Sequence, residues 1–421
     1  MNLFGKVLSE APLRFNSASK YATEFSPSIG IRKFGPYDAS LFPKNQIVCG
    51  VIYSQDVATE KDALVQGLVK GEGAGFPGFT PWFRSEMLFD QTANICVAAN
   101  NQALVQAAKQ IAVKSCDLVF VIIPERAEQT YRQCKSILLS NGIPCQFVTA
   151  TKLQNPGQRP WVLGNIALAS YAKVGGTPWV VADSSVKQEL VMGISRAQET
   201  SGKKYVVGFV TLFNQEGDFL LLHSKSPVVA WDNYVEGLQE LIVDAYHEYE
   251  SKFGTAESLV IHFHKRPGYK ELEAVNNALN HLGRVLPYAL VHLNEFSSFR
   301  LFDTAHSSHV PQAGLTVSLS RHRSLLVLDG REKNKRNRMG VPNVWDIALD
   351  KRSTMEVDEF PRLIAQVHRF ARVNWRGFNA RSLPVTINYS KLICDQVLDL
   401  GAASWNSVIA NGKLRNKAWF L

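Results

Sequence analysis

From about residue 46 to residue 151, short apolar runs alternate with amphipathic segments along the chain. Three runs rich in Val, Ile and Phe have the length of strands and predict buried β-strands. They are 47–54, 117–125 and 144–151. In other segments apolar residues recur every three or four positions, which predicts helices at 57–71, 101–115 and 126–142. Strands that alternate with helices favour a parallel sheet covered on both faces, hence an α/β fold.

From about residue 177 the pattern changes. The apolar runs 204–213 and 218–224 are separated by Asn214-Gln215-Glu216-Gly217, which predicts an antiparallel hairpin. Two helical segments then each precede an apolar run. These four pieces are 231–253, 258–265, 269–282 and 286–294. A meander followed by helix–strand units is the order of an RNase H-like core, so we expect that fold in this half of the chain.

These patterns divide the chain into three parts. Residues 1–40 are short polar and apolar pieces broken by Ser26-Pro27 and Gly35-Pro36, and we expect an arm packed on the body. Residues 41–176 are expected to form a Rossmann-like domain, and residues 177–421 the RNase H-like domain. A chain of 421 residues is long enough for two such domains.

The charge balance favours an anionic partner. The chain has 46 Lys and Arg against 37 Asp and Glu, a net charge of +9 at pH 7, which suits phosphate-bearing partners such as nucleic acids. The six cysteines include no C-x-x-C pair, so we expect reduced thiols and neither disulfides nor a zinc site. The N-terminus lacks a signal-peptide pattern and no long apolar run is present, so we expect a cytoplasmic protein without a membrane segment.

Four polar side chains between residues 131 and 173 suggest a phosphate site. Tyr131 and Lys135 are four residues apart and lie on one helical face. Gln146 opens the next strand, and Lys173 lies near the end of the following helix. Two ammonium groups, a hydroxyl and an amide can converge on a phosphate, and the phenol ring can stack on a base. The spacing alone also suits a solvated helix edge, so both interpretations stay open at this point.

These residues carry a resemblance to a known family. Tyr131-x3-Lys135, Gln146 in PCQFV and Lys173 in AKVGGTPW resemble the tyrosine–lysine–glutamine–lysine motif of Argonaute MID domains. Three further segments are similar to the short archaeal PIWI proteins, namely KFGPYD (33–38), NWRGFNARSLPVTINYSKLI (374–393) and AWFL (418–421). The chain therefore resembles a short prokaryotic Argonaute, with a Rossmann-like MID domain followed by an RNase H-like PIWI domain.

The resemblance implies a site for the 5′ end of a guide strand. Tyr131 would contact the first nucleotide, and Lys135, Gln146 and Lys173 would bind its 5′-phosphate. Asn165 matches a family position that contacts the second nucleotide.

The resemblance also implies a divalent cation, Mg²⁺ or another, beside the guide phosphate. In microbial members the C-terminal carboxylate helps to hold this cation, a role that would fall to Leu421. Ala169 departs from the family pattern, because relatives carry a polar or basic residue at this position. The departure concerns metal binding and leaves the phosphate site intact.

A nuclease of this fold needs several carboxylates to hold two Mg²⁺ ions. At the three matching positions the chain has Ser195 (with Ile194 before it), His264 and Lys391. With three ligands missing together, and with Lys391 adding positive charge, we expect no catalytic residues and no cleavage of nucleic acid by this chain.

A basic segment, residues 362–381, has five arginines and no acidic residue. A solvated helix face is the simpler interpretation, but the place of this segment beside the guide channel of the family implies that Arg376 and Arg381 contact the guide or target backbone. His262, His264 and His292 suggest a metal site only weakly, since such histidines are more often polar core or surface residues.

Together these features predict a guide-binding subunit of a prokaryotic defence system. It would anchor a short guide, expected to be RNA, and pair it with a complementary target, expected to be single-stranded DNA, without cutting. By the resemblance, its partner would be a separate APAZ-domain effector protein with a TIR, sirtuin-like or nuclease domain, acting against plasmids or phages. The alternatives are an active guide-directed nuclease and a small-ligand α/β enzyme or sensor.

Overall fold

A computed structural model describes residues 4–182, 188–198, 204–206, 210–213, 219–223, 228–230, 233–331, 340–380, 382–414 and 417–421. The chain divides into two compact units. The parallel-sheet unit comprises Leu13–Val180, Trp375–Phe378 and Gln396–Leu421, and the mixed-sheet unit comprises Met1–Pro12, Val181–Asn374 and Asn379–Asp395. Both units combine stretches that are distant in sequence, whereas the domains expected from the sequence are contiguous, and those boundaries stay a prediction.

The strands and helices follow one another along both units. The strands are β1 (Gly5–Val7), β2 (Leu13–Arg14), β3 (Thr23–Glu24), β4 (Gln46–Ser54), β5 (Glu86–Val97), β6 (Leu118–Ile123), β7 (Cys145–Thr149), β8 (Val180–Val181), β9 (Glu189–Ile194), β10 (Ala197–Gln198), β11 (Lys204–Val206), β12 (Val210–Phe213), β13 (Phe219–His223), β14 (Val228–Ala230), β15 (Ser258–Phe263), β16 (Tyr288–Asn294), β17 (Leu315–Ser320), β18 (Arg323–Val327) and β19 (Val344–Leu349). The helices are α1 (Pro27–Phe34), α2 (Ala58–Lys70), α3 (Phe79–Phe83), α4 (Asn101–Ile111), α5 (Glu128–Ser140), α6 (Arg159–Lys173), α7 (Tyr234–Phe253), α8 (Tyr269–His281), α9 (Phe360–Phe370), α10 (Val385–Leu400) and α11 (Ala402–Ala410).

Four parallel strands form the main sheet of the parallel-sheet unit, in the order β5-β4-β6-β7. Every residue of β6 is buried, as a strand covered on both faces requires. The side chains of α4 and α5 pack on this strand and its neighbours, and their core includes Leu104, Ala108, Val121 and Leu138. The parallel sheet expected from the alternating pattern is therefore confirmed.

A nine-stranded sheet forms the centre of the mixed-sheet unit, in the order β1-β17-β18-β19-β16-β15-β9-β12-β13. Its strands β9, β15 and β16 are parallel, and the meander β9-β12-β13 is antiparallel. Helices α7 and α8 contribute Leu238, Tyr246 and Val275 to the core on these strands. The parallel register pairs Phe263 with His292, so β15 and β16 end at the same edge of the sheet.

Three features differ from the sequence-based expectations. The edge strand β5 was missed, because its many exposed polar residues hide the apolar alternation. Helix α1 lies within the segment expected to be an arm, where Pro27 starts the helix and Gly35, at φ 78°, ends it. The run 204–213 was taken as one strand, yet β11 and β12 belong to different sheets.

The strands β12 and β13 pair antiparallel, which confirms the predicted hairpin, although its turn at 214–217 lies outside the described residues. Among the described residues, no helix combines the length and the apolar character needed to cross a membrane.

Candidate functional site

Helix α5 brings Tyr131 and Lys135 together. One helical turn separates the two residues, and the Lys135 ammonium donates a hydrogen bond of 2.8 Å to the Tyr131 hydroxyl. Lys135 is only 3% exposed although it carries a charge. The predicted i, i+4 pair is thus on one face, but that face points inward and is not a solvated edge.

The other two predicted residues meet at the start of β7. Lys173, at the end of α6, donates to the Gln146 Oε1 at 2.7 Å and to the Cys145 carbonyl at 2.9 Å. Lys173 is 2% exposed. The Gln146 amide group keeps its Nε2 as a donor, which bonds the Phe147 carbonyl at 3.1 Å. Nitrogen donors from α5, α6 and β7 therefore lie close together, and we call Tyr131, Lys135, Gln146 and Lys173 the predicted phosphate pocket.

The positive charge of the two buried lysines in this pocket favours a bound anion. Burial, together with the positive charges of Lys135 and Arg376, lowers the pKa of Lys173 to about 7, while Cys145 acts in the opposite direction. Among the described residues, neither lysine forms an ion pair with a carboxylate. A buried charge without a counter-charge costs several kcal/mol. A bound dianion would supply the counter-charge that the described residues lack.

The Tyr131 ring is held between an aromatic and a cationic neighbour. Its centroid lies 4.6 Å from that of Phe147, with the rings inclined at 60°. The Arg126 guanidinium lies 4.6 Å from the Tyr131 centroid and pairs with Glu128 at 2.8 Å. Both partners of that ion pair are more than half exposed, so the interaction is weak and water competes for it.

Two further predicted residues lie in the same unit. Asn165 is exposed on α6, and its Oδ1 accepts a hydrogen bond of 3.2 Å from the Phe378 backbone N–H. This bond ties the segment 375–378 to α6. The segment also carries Arg376, which is exposed and whose positive charge contributes to the lowered pKa of Lys173. Arg381 lies outside the described residues.

The C-terminus is anchored in the parallel-sheet unit. Trp419 and Phe420 are buried, Trp405 lies 5.7 Å from Trp419 between ring centroids, and Leu421 is half-buried. Ala169 is 7% exposed and offers no ligand atom. The described part of the chain has no group of three or more His, Cys, Asp or Glu that could hold a metal ion. The cation expected from the resemblance, beside the Leu421 carboxylate, would have to take its other ligands from a phosphate and from water.

The mixed-sheet unit contains Ser195, His264 and Lys391, the three residues that stand where the sequence analysis expected a nuclease to carry carboxylates. The Ser195 hydroxyl is buried and hydrogen-bonded to that of Ser390 at 2.7 Å. His264 Nε2 and the Lys391 ammonium both lie 2.8 Å from one oxygen of Glu295. Burial favours a higher pKa for Glu295, but the hydrogen bonds from Lys391 and His264 outweigh it and lower that pKa.

Glu295 was missed at the sequence level. It follows β16 directly, and His264 follows β15, so both side chains lie at the edge where these parallel strands end. That placement was the available signal, because polar residues after the carboxyl ends of neighbouring parallel strands converge. The weak metal site proposed for the histidines has no counterpart in the described residues: His262 is buried against Thr386 at 2.9 Å, with a pKa of about 3 because of that burial.

Comparisons with known proteins give a consistent result. Residues 118–332 match the model of the Piwi domain family. The chain is 23% identical over 436 residues to a Protein argonaute of Cereibacter sphaeroides, covering 93% of this chain and 56% of that protein. It is 26% identical over 325 residues to a Piwi protein of Archaeoglobus fulgidus, covering 72% of this chain and 75% of that protein.

Solved structures show the same architecture. Drosophila Piwi superposes with a TM-score of 0.74 at 14% identity, over 99% of this chain and 56% of that one. Clostridium butyricum Argonaute, bound to a guide DNA and a target DNA, gives a TM-score of 0.71 at 17% identity, over 95% of this chain and 53% of that one. This chain thus spans about half the length of those relatives. The expected α/β class, with a Rossmann-like and an RNase H-like half, is confirmed.

Proposed function

Because this chain belongs to the Piwi domain family, as its match over residues 118–332 shows, we propose that it binds a guide strand by the 5′-phosphate. The resemblance to Argonaute and Piwi proteins found in the sequence is confirmed by the relatives from Cereibacter sphaeroides and Archaeoglobus fulgidus. Since the chain covers about half of the first of these, its activity and partners are proposals that rest on its own residues.

One observation carries the proposal. Lys135 and Lys173 bury two ammonium groups in one pocket without a carboxylate partner among the described residues. A terminal phosphate carries nearly two negative charges at neutral pH and accepts several hydrogen bonds. Such charge-assisted hydrogen bonds are about twice as strong as neutral ones. A phosphate would therefore be stabilised here more than any neutral ligand, and its binding would keep Lys173 protonated.

The rest of the guide would follow from this anchor. The first base would stack on Tyr131, which requires the weakly held Arg126 guanidinium to give way. Asn165 would contact the second nucleotide, and Arg376 and Arg381 would contact the backbone. Bases held in this way would be free to pair with a target, so that base pairing and not the protein reads the sequence. We expect an RNA guide and a single-stranded DNA target.

We further propose that this chain pairs guide with target and does not cut. The support is the Glu295 carboxylate, whose oxygen is bonded by the Lys391 ammonium and by His264 in place of a metal ion. An ammonium at this point repels a divalent cation. The buried hydroxyl of Ser195 adds no negative charge to attract one.

A divalent cation such as Mg²⁺ is proposed only together with the guide. The Leu421 carboxylate would hold it, with phosphate oxygens and water as the other ligands. Bound there, the cation would screen the repulsion between the chain's own terminus and the phosphates.

The resemblance to short prokaryotic Argonautes also leads us to propose a protein partner. This would be an APAZ-domain effector with a TIR, sirtuin-like or nuclease domain, joined as a heterodimer in the cytoplasm and activated against plasmids or phages when the guide pairs with a target. Co-purification of the two chains, followed by an effector assay with and without the matching target, tests this part. An effector that is equally active without a target contradicts it.

The central experiment is a titration of the protein with one short oligonucleotide carrying either a 5′-phosphate or a 5′-hydroxyl. The phosphate should tighten binding, and Lys135→Ala should remove that gain, a loss of roughly ten- to hundredfold in affinity. Lys109→Ala is the matched control, since it removes one charge from an exposed position of the same unit. Equal binding of both oligonucleotides would show that the basic surface of the protein binds the oligonucleotide backbone non-specifically.

A further inference from the structure

Strand β1 lies at one end of the nine-stranded sheet, and no other strand of the described residues pairs with its outer side. Its three residues, Gly5, Lys6 and Val7, are all exposed. On its inner side β1 pairs antiparallel with β17, where Lys6 lies opposite Thr316. An exposed edge strand offers unpaired backbone N–H and C=O groups to another chain.

The pairing with β17 decides which backbone groups of β1 point outward. Directly after β1, the Leu8 N–H donates a hydrogen bond of 2.9 Å to the Gly314 carbonyl, so Leu8 directs its backbone groups towards the sheet. In an antiparallel pair, successive residues direct these groups to opposite sides. By this alternation Lys6 also faces β17, whereas Gly5 and Val7 direct their N–H and C=O groups to the open edge.

A groove of about 570 Å³ lies along one face of this edge, between β1, β17 and the start of α9. We call it the edge groove. Its apolar lining includes Leu8, Phe360 and Ile364, and its positive charges come from Lys6 and Arg321. Lys6 and Leu8 are two residues apart and lie on the same face of the strand. Every second side chain of a strand added to β1 would therefore lie beside the edge groove.

The opposite face of the edge is apolar. Val7 is 44% exposed and lies opposite Leu315 of β17. Leu315 and Val317 pack on the core residues Leu325 and Val327 but are themselves only partly buried. Apolar side chains of an added strand would cover this row of residues, and burial of apolar surface favours such an association.

The charges at the edge restrict the chemistry of its partner. Lys6 is exposed and forms no ion pair within the described part of the chain. Arg321 lies 3.8 Å from Asp358, but both side chains are largely exposed, so this ion pair is weak. If two copies of the chain paired through all the outward groups of Gly5 and Val7, their Lys6 side chains would lie opposite each other. Like charges in that position are destabilising, so a second copy is disfavoured and a carboxylate opposite Lys6 is favoured.

We propose that the edge of β1 binds an extended, acidic segment of a partner protein as an additional strand of the nine-stranded sheet. The segment places a carboxylate beside Lys6 and apolar side chains beside Val7 on the other face. Backbone hydrogen bonds to Gly5 and Val7 supply affinity, and the side chains supply specificity, as in other complexes in which a peptide extends a sheet. Strand β1 belongs to the mixed-sheet unit, whereas the predicted phosphate pocket belongs to the parallel-sheet unit. This binding therefore does not depend on a guide.

The test is a fluorescence-anisotropy titration of the full chain with a short labelled peptide in which valine and threonine alternate around a central glutamate. The peptide should bind saturably. Val7→Pro should weaken this binding by about tenfold or more, because proline lacks the outward N–H and its ring blocks an added strand. Proline is tolerated in an edge strand where the N–H faces solvent, so the pairing with β17 should remain. Val7→Thr is the matched control, since it keeps the N–H and the β-branched shape.

A charge reversal tests the chemistry of the partner. Lys6→Glu should weaken binding of the glutamate peptide by about two- to fivefold and tighten binding of the same peptide with a central lysine, since opposite charges on adjacent strands attract. Lys351→Glu is the matched control, because it reverses the charge of an exposed residue of the same unit outside the edge groove. It should leave the glutamate peptide as the tighter ligand.

Several outcomes overturn the proposal. They are no saturable binding of either peptide at millimolar concentration, equal binding by Val7→Pro and Val7→Thr, and an unchanged preference for the glutamate peptide in Lys6→Glu. A dimer of the full chain that Val7→Pro dissociates, as measured by light scattering, would show instead that a second copy occupies the edge. Val7→Pro should bind a 5′-phosphorylated oligonucleotide as the unaltered protein does, so this proposal and the guide proposal fail separately.

Discussion

Lys173 shows how a residue poorly suited to burial defines a binding pocket. Its ammonium is buried and donates hydrogen bonds to Gln146 Oε1 and to the Cys145 carbonyl. Both acceptors are neutral, so these bonds do not neutralise its charge. Burial and the nearby charge of Lys135 leave it with a pKa of about 7, far below the 10.5 of a solvated lysine. Binding of an anion at this site would therefore be coupled to protonation of Lys173.

This residue predicts a pH dependence of guide binding. In the free protein Lys173 loses its proton as the pH rises through about 7, and the charged form is the one that binds phosphate. Affinity for a 5′-phosphorylated guide should therefore fall above pH 7, by up to about tenfold per pH unit. Below about pH 6 the phosphate itself becomes protonated and affinity should fall again.

Binding constants measured between about pH 6 and pH 9 check this. Lys173→Arg, which stays charged, should lose the decline above pH 7, and a 5′-hydroxyl oligonucleotide should show little of it. A flat profile for the unaltered protein would contradict the prediction.

The same shift predicts how the stability of the guide-free protein depends on pH. Between about pH 7 and 10 the unfolded chain binds a proton at Lys173 that the folded chain releases, so the free energy of unfolding should rise with pH in this window. Denaturant unfolding at about pH 7 and pH 9 measures the effect. Lys173→Met removes the titrating group, and a rise of the same size in that variant would show that other groups cause it.

At the scale of elements, β9 and α10 of the mixed-sheet unit approach each other closely at Gly193 and Thr386. A Cβ atom at Gly193 would lie 2.1 Å from the Thr386 carbonyl oxygen, an approach that no side chain tolerates. The hydroxyl pair of Ser195 and Ser390 and the contact of His262 with Thr386 depend on the same packing. The closeness of the Thr386 backbone explains why β9 has a glycine, Gly193, in its interior.

Substitution of this glycine should therefore be costly. Gly193→Ala should lower the free energy of unfolding by about 1–3 kcal/mol or more, because the backbone of α10 must shift. Gly5→Ala, in the edge strand β1, places its Cβ at ordinary contact distances of 3.4 Å and beyond and should change stability by less than about 0.5 kcal/mol. Thermal or denaturant midpoints compare the two variants, and similar values for both would contradict the packing argument.

At the scale of the whole molecule, the net charge of +9 adds a general attraction for nucleic acid to the specific pocket. The general part arises from phosphate contacts that release counterions, and it weakens steeply with salt. The buried pair Lys135 and Lys173 is shielded from solvent and is screened much less. The two contributions can thus be separated by ionic strength.

The affinity ratio between 5′-phosphate and 5′-hydroxyl oligonucleotides should persist from low to high salt, while both absolute affinities fall. Titrations at several salt concentrations measure this. A ratio that disappears at physiological ionic strength would place the phosphate on the surface instead of in the pocket.

The proposed lack of cleavage also concerns the whole molecule. With guide, paired target and Mg²⁺ or Mn²⁺, the target should stay intact over long incubation. Target binding, followed by mobility shift, is the control for assembly. A cut product that forms with the unaltered protein and is abolished by a chelator would assign the chain to the active guide-directed nucleases.

The sequence by itself determined the features that depend on local periodicity. The alternation of strands and helices from β4 to β7, the order of α7, β15, α8 and β16, and the common face of Tyr131 and Lys135 all follow from spacings of two to four residues. Apolar residues at such spacings select one backbone conformation, because only that conformation buries them together. The resemblance to Argonaute proteins added the grouping of Gln146 and Lys173 with that pair.

Only the tertiary structure decided which distant residues meet and how deeply they are buried. Glu295 joins His264, 31 positions earlier, and Lys391, 96 positions later. The direction in which the Tyr131–Lys135 face points was decided at the same level, and so was the burial of Lys173, which together with the charge of Lys135 lowers the pKa of Lys173. The physical reason is that burial and long-range contacts depend on strand register and crossover path, which no local spacing encodes.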